Sequence, residues 1–410
     1  MKFALPAHNL YGNAPVMLDI PDNWDVSVHE YAGVREPAMS DEAIRQAVAH
    51  PLGCAPISES ARGRQDAIII IDDISRPTPC GAIARAVISE LEEAGIPRDR
   101  IRFMAAVGTH RAMSREEFVR KLGEDIVHEF RCYSHNPFFN CVSLGTTSQG
   151  VPIEINKEVA EADFKVALGT FSPHAQMGMG GGAKIIFPGV ASLESVRRLH
   201  QTEEGRWILT RGGQQAILEA ARAVHVDLKI DCMLNGKGEI ARLFAGPIDR
   251  IAADHLDEAA AFYRTDFEPE ADIVLANNYF KPSEPFVAIA NTGLVFTVRK
   301  GGVLIVSSNS PQGAAPHYTF GKWGDGFVGG TSYHGPQPMA RRLKTYYAFS
   351  VYPDTGTAIT YHFNGETMKW ADNWDKIVDD IGRGEPKKLV IYPYASVGYY
   401  SENGNIEKQR

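Results

Sequence analysis

The sequence predicts an α/β protein made of two α/β domains, each around a mainly parallel sheet, with a cleft between them. Three observations carry this. Short β-branched runs of strand length alternate with segments of helical spacing. The alternation occurs twice, once before residue 200 and again from about residue 271. The 410 residues also suit two domains better than one.

In chain order, residues 67–71 (AIIII) have the length and branching of a buried parallel strand, followed by Asp72 and Asp73. Residues 82–94 have helical spacing and stop at Gly95-Ile96-Pro97. Residues 101–107 form the next strand, closed by Gly108-Thr109-His110. Ser114 then caps a helix whose first turn holds Glu116 and Glu117. Residues 164–168 give a third strand, and 192–200 a helix after the Pro188-Gly189 turn. In the second block 272–276 is a strand, 286–298 a helix, 302–307 a strand and 389–391 a last strand. Residues 262–270, charged and with Pro269, suit a linker. The expected division is 1–265 for an N-terminal α/β domain, 271–395 for a C-terminal α/β domain, and 396–410 for a tail. Residues 311–374 are rich in Gly, Pro and aromatics and show no clear period.

Composition narrows the function. Forty-two Lys and Arg against fifty Asp and Glu give a net charge of −8, which argues against broad nucleic-acid binding. No apolar run approaches the ~18 residues of a membrane span. The opening MKFALPAHNLYGNAP does not read as a signal peptide, so a cytoplasmic location is expected. Five scattered cysteines without a CxxC pair read as free thiols rather than a disulfide framework or zinc site. Cys80 follows a Pro-rich turn; core filler is its ordinary reading, a reactive thiol the other.

The chemistry concentrates at three strand ends, where parallel sheets gather ligands. These are Asp72-Asp73-Ile74-Ser75-Arg76-Pro77-Thr78-Pro79, Gly108-Thr109-His110-Arg111 and Thr170-Phe171-Ser172-Pro173-His174. Taken singly, the Asp and Ser are caps and each His a satisfied surface residue. Two histidines on one sheet edge suit a paired acid and base. The run from Gly178 to Gly189 departs from a P-loop, because Ala183 precedes Lys184 and Ile185 follows it. Its loose GxGxxA is followed by a strand-like IIF rather than a helix, so a dinucleotide site is not supported. Its glycines bring backbone N–H groups close to a ligand. Lys184 has the surroundings of a lysine with a lowered pKa, against the ordinary reading of a snorkelling surface residue. Val196, Leu199 and His200 share a helix face, which leaves His200 a core histidine or a single metal ligand.

Together, the Asp73-to-Pro79 turn, GTHR, SPH, GMGGGAKIIFPGV and His200 resemble the nickel-dependent lactate racemase family in order and spacing. The resemblance implies two α/β domains holding a nickel-pincer nucleotide, built by separate cofactor-maturation enzymes. Lys184 matches the lysine that tethers it, and His200 the protein ligand to nickel, in a square-planar geometry that Ni(II) favours. His110 and His174 match the acid/base pair. Asp73, Ile74, Ser75 and Arg76 match the turn that contacts the cofactor. The implied activity is racemisation or epimerisation of a 2-hydroxy acid. One histidine takes the hydroxyl proton while the α-hydrogen leaves as hydride, and the second histidine serves the opposite face.

The chain departs from the family at one place. Lactate-active members carry a Gln-x-x-Lys pair where this sequence runs Glu284-Pro285-Phe286-Val287-Ala288-Ile289. Arg76, Lys281 and Arg299 are the candidate cations for a substrate carboxylate, and the substrate need not be lactate. Trp323, Tyr333, His334, Tyr346, Tyr347, Trp370 and Trp374 are either pocket lining or ordinary packing. Two other functional classes stand beside the racemase: a Schiff-base lyase or dehydratase using Lys184 directly, and a non-catalytic cofactor-binding protein.

Overall fold

A computed structural model describes residues 1–174, 178–201, 211–284, 294, 297–313, 315–316, 318, 343–352 and 368–400. They fall into two compact units. One comprises residues 35–172 and 179–259, the other 1–34, 173–178 and 260–410.

The unit of residues 35–172 and 179–259 is built on a six-stranded sheet. Its order is Ile240–Gly246, Leu228–Leu234, Phe164–Thr170, Ala67–Asp72, Ile101–Ala106, Arg131–Ser134. All neighbours are parallel except the first pair. The isoleucine run lies at the centre, with Ile68 to Ile71 all 0% exposed. A run apolar on both faces can only be a strand covered on both sides, which is why it read so plainly in the sequence. From Ala67–Asp72 the chain steps outward to Ile101–Ala106 and Arg131–Ser134. It then returns to Phe164–Thr170 on the other flank of the central strand. Strand order reverses there, and the crevice beyond the carboxyl ends at such a reversal is where open α/β sheets bind ligands. Asp72 and Thr170 end the two strands that flank it.

The other unit has a second six-stranded sheet, parallel throughout. Its order is Met368–Ala371, Thr345–Phe349, Val298–Ser307, Ala271–Asn277, Lys388–Tyr392, Asp25–Val28. Alternate residues of its central strand face two separate cores. Ile273 and Leu275 pack with Leu5, Leu18, Ile20 and Trp24. Val274 and Ala276 pack with Leu304, Tyr346 and Tyr392.

The fold class is therefore α/β with mainly parallel sheets, as expected. The predicted strands and the helices near 82–94 and 192–200 are present, the helices as Cys80–Glu93 and Leu193–Gln201. The grouping of the chain does not follow sequence order, as a boundary at 265 would have it. Residues 1–34 and 173–178 group with 260–410, because Asp25–Val28 is the edge strand beside Lys388–Tyr392. Within the expected linker, Phe262 ends the helix Leu256–Phe262 and Tyr263 is 1% exposed, so its start is packed core. Of the predicted helix 286–298 only residues 294, 297 and 298 are among those described, and Val298 begins a strand. No helix among the described residues is long and apolar enough to cross a membrane. The described cysteines are free thiols.

Candidate active site

The central strand ends at Asp72, and the next residues fold into a tight turn in which Arg76 N–H donates to Asp73 O (3.1 Å). The Asp73 carboxylate is almost fully buried and fully engaged. Its Oδ1 accepts from Ser75 N–H (3.2 Å) and Ser75 Oγ (2.5 Å). Its Oδ2 lies 2.7 Å from His110 Nδ1. Arg76 Nη1 donates to Ser75 Oγ at 2.9 Å, and Ile74 is half-buried. Burial opposes the Asp73 charge, yet the His110 ring, Arg76 and Ser75 together hold the carboxyl below its ordinary value. A carboxylate on Nδ1 fixes the ring so that Nε2 is the nitrogen presented for proton exchange.

His110 reaches this position because Ile101–Ala106 runs parallel to the central strand and its following turn closes back on itself. His110 N–H donates to Val107 O (2.8 Å), and Gly108 N–H donates to Gly189 O (2.8 Å). Gly108 has φ +54°, a conformation that favours glycine. Arg111, next in the chain, serves the scaffold. Its guanidinium forks onto buried Glu117, with Nη1–Oε2 at 2.9 Å and Nη2–Oε1 at 2.5 Å. Glu117 also closes a capping box with Ser114 at the start of the helix Arg115–Leu122.

Lys184 sits on a single 3₁₀ turn, Gly182–Ile185. The expectation of a strand over IIF is corrected here. Ile186 and Phe187 are fully buried in a turn, and Gly189 packs so closely that an added Cβ would stand 2.0 Å from Ile185 O. A chain folded back this tightly has no room to extend into a ladder. The turn is anchored from below, where Asp231 Oδ2 accepts from Gly182 N–H (2.8 Å) and Asp231 Oδ1 from Lys229 Nζ (2.5 Å). Gly181, at φ +104°, could not carry a side chain: its Cβ would meet Phe171 at 2.8 Å.

His200 lies in the last turn of Leu193–Gln201, half-buried, while Val196 and Leu199 on its face are each 1% exposed. Its Nδ1 donates to Val196 O (2.8 Å), which fixes the ring's tautomer with the proton on Nδ1. His174 ends the short strand Ser172–His174, in the segment that groups with residues 1–34 and 260–410. The structure thus joins Asp73, Ser75, Arg76 and His110 directly, with Lys184 and His200 in the same unit.

The candidate cations separate. Arg76 stays at the turn. Lys281 is 2% exposed and its Nζ donates to Pro173 O (3.0 Å), one residue before His174, so it holds that segment. Arg299 pairs with Asp272 near the amino end of its sheet, the edge opposite to where ligands gather. Tyr346, Tyr347 and Trp374 are core residues, whereas Trp323, Tyr333 and His334 lie outside the described residues. Cys80 is fully buried and its thiol is pushed up to about 12 by burial, which makes it filler rather than a nucleophile.

Two buried ion pairs went unnoticed in the sequence. Lys121 Nζ meets Asp72 Oδ1 at 2.6 Å, and Lys229 pairs with Asp231. Lys229 and Asp231 are i, i+2 on one strand and so share its face; that spacing of charges inside an apolar run was the available signal.

The buried Asp73–His110 pair thus lies beyond the carboxyl end of the central strand, where open α/β sheets gather ligands. Residues 11–206 match the family model described as the lactate racemase N-terminal domain, the family that the motifs resemble. The chain is 26% identical over 317 residues to a lactate racemase of Thermoanaerobacterium thermosaccharolyticum, covering 74% of each. It is 27% identical over 301 residues to a lactate racemase of Lactiplantibacillus plantarum, covering 70% of each. Its fold resembles the lactate racemase apoprotein of the former organism, with a TM-score of 0.72 at 21% identity over 98% of this chain and 100% of that one. It also resembles a Thermotoga maritima protein, with a TM-score of 0.67 at 17% identity over 89% and 99%.

Proposed function

We propose that this protein is a racemase or epimerase of 2-hydroxy acids that uses a nickel-pincer nucleotide tethered to Lys184. The buried Asp73–His110 pair is the observation that supports it best, because it prepares one ring nitrogen for repeated proton exchange. The residues present suit the cofactor. His200 has its Nδ1 committed to a backbone carbonyl, which directs Nε2 toward a metal. Lys184 is half-buried on the glycine-bordered turn Gly182–Ile185, next to Gly181 and Gly182. One protein ligand to nickel leaves the remaining positions to the cofactor's own donors. When bound, that group supplies the acceptor for the α-hydrogen.

The side chains do the rest. His110 Nε2 accepts the substrate hydroxyl proton, and Asp73 stabilises the imidazolium that results. His174 takes the equivalent role for the opposite enantiomer. A symmetric pair of bases suits a reaction run in both directions. Arg76, whose Nη1 is braced by Ser75 Oγ, is the cation offered to the substrate carboxylate. The partners are a 2-hydroxy acid and the enzymes that build the cofactor, in the cytoplasm.

The test is protein produced together with the cofactor-building enzymes and assayed on a panel of aliphatic, aromatic and sugar-derived 2-hydroxy acids. Nickel and an added mass on Lys184 are expected, with one class of acid scrambled. His110→Ala and His174→Ala should abolish scrambling with nickel retained, and His200→Ala should lose nickel. Protein that holds no nickel and scrambles none of the acids overturns the reading.

A further inference from the structure

Lys121 lies in the last turn of Arg115–Leu122, with a side chain that is 0% exposed. All three of its ammonium protons are used: on Asp72 Oδ1 (2.6 Å), Asp73 O (3.0 Å) and Arg76 O (3.0 Å). Charge balance alone would need only the first. The other two clamp both ends of the turn that carries Asp73, Ser75 and Arg76. Burial disfavours the Lys121 charge, but Asp72 outweighs it and keeps the ammonium protonated.

The clamp is part of a larger frame. Asp72 Oδ2 accepts from Thr78 Oγ1, which also meets Thr170 Oγ1 across the strand-order reversal. A Cβ added to Gly169 would lie 3.6 Å from Asp72 Oδ2, 3.4 Å from Lys229 Nζ and 3.5 Å from Asp231 Oδ1, so the two ion pairs converge beneath that glycine. Asp231 in turn holds Gly182, two residues before Lys184.

We propose that Lys121 is a positioning residue: it fixes the Asp73–Arg76 turn through two backbone carbonyls and so sets the Asp73–His110 hydrogen bond. The consequence for turnover rests on the racemase reading; the effect on His110 does not. The bond itself is read from ¹⁵N-histidine NMR of the purified full-length protein, where an Nδ1–H held by a buried carboxylate gives a downfield, exchange-protected proton.

Lys121→Met is expected to lose that signal, and in cofactor-loaded protein to lower kcat by on the order of 100-fold with a smaller change in KM. Lys121→Met leaves Asp72 buried without its partner, so Asp72→Asn/Lys121→Met is the decisive variant, removing both charges. Under the proposal the double variant still lacks the signal, because the carbonyl clamps are gone. If the double variant keeps the wild-type His110 signal and, once loaded, the wild-type kcat, Lys121 serves only to neutralise Asp72 and the proposal fails. A wild-type protein that shows the signal but scrambles no 2-hydroxy acid would sink the functional reading while leaving the clamp intact.

Discussion

At the scale of single residues, two buried histidines of one unit show how environment distinguishes a ring held by a carboxylate from one held by neutral partners. His110 has a carboxylate on Nδ1, at 2.7 Å from Asp73 Oδ2. His135, 2% exposed, has only neutral partners: its Nε2 donates to Ala191 O (2.8 Å) and its Nδ1 accepts from Asn156 Nδ2 (3.1 Å). Burial lowers its pKa to about 4. The unfolded chain binds the proton near 6.5, so stability is full above that pH and falls progressively toward about 4. The whole loss is about 3 kcal/mol at 1.36 kcal/mol per unit. Urea unfolding at pH 7 and pH 5 should show this slope, and His135→Gln should flatten it. Equal slopes in the two proteins would rule this histidine out as the cause. For the Asp73–His110 pair, Asp73→Asn keeps the shape but removes the charge; under the proposed racemase function, kcat of the loaded protein should fall by at least about 100-fold, with nickel content unchanged. The sequence marked His110 through its neighbours GTHR and the Asp73 turn. It could not show which Asp oxygen meets which nitrogen, because that depends on two strands becoming adjacent.

At the scale of elements, the runs that read correctly were those with one physical explanation. Five consecutive buried apolar residues suit a central parallel strand, and Ser114 with Glu117 suits only a helix start. The IIF run misled because three apolar residues are too few to show a period, and Pro188 and Gly189 beside them favour a turn. Lys121 was hidden for a related reason: its helix carries Arg115, Glu116, Glu117, Arg120 and Lys121 within seven residues, a charge density that resembles a solvated face. The helix Arg115–Leu122 matters beyond its eight residues, since it presents both Lys121 and the Glu117 that holds Arg111. Ser114→Ala removes one half of the capping box and should cost about 1 kcal/mol in urea unfolding. Because Lys121 lies at the far end of the helix, fraying at the start should leave the His110 N–H signal in place. Loss of that signal in Ser114→Ala would mean that the clamp depends on the helix as a whole.

At the scale of the molecule, the feature least visible in the sequence is the role of residues 1–34. Chain order assigns them to the first domain, and nothing in their local pattern says otherwise, because pairing partners some 360 residues away leave no periodic trace. In the structure they complete the other unit. Asp25–Val28 pairs with Lys388–Tyr392, and Leu5, Leu18, Ile20 and Trp24, each at most 5% exposed, fill one face of its sheet. Trp24 is joined there by Trp374, whose indole N–H donates to Asp19 O (3.0 Å). At roughly 1.5–3 kcal/mol for each buried side chain, these four contribute an amount comparable with the whole stability of a typical domain, about 5–15 kcal/mol. Their removal should therefore unfold that unit rather than merely weaken it. A chain that begins at residue 35 is expected to lose trypsin resistance across residues 260–400 while residues 35–172 stay protected, read by mass spectrometry of the limited digest. Lys281, buried in the intact protein against Pro173 O, reports on the segment that carries His174. Rapid cleavage after Lys369 and Lys376 together with slow cleavage after Arg102 and Lys121 is the expected pattern. Equal resistance of the shortened and full-length chains would mean that the first 34 residues only cover a sheet that stands without them.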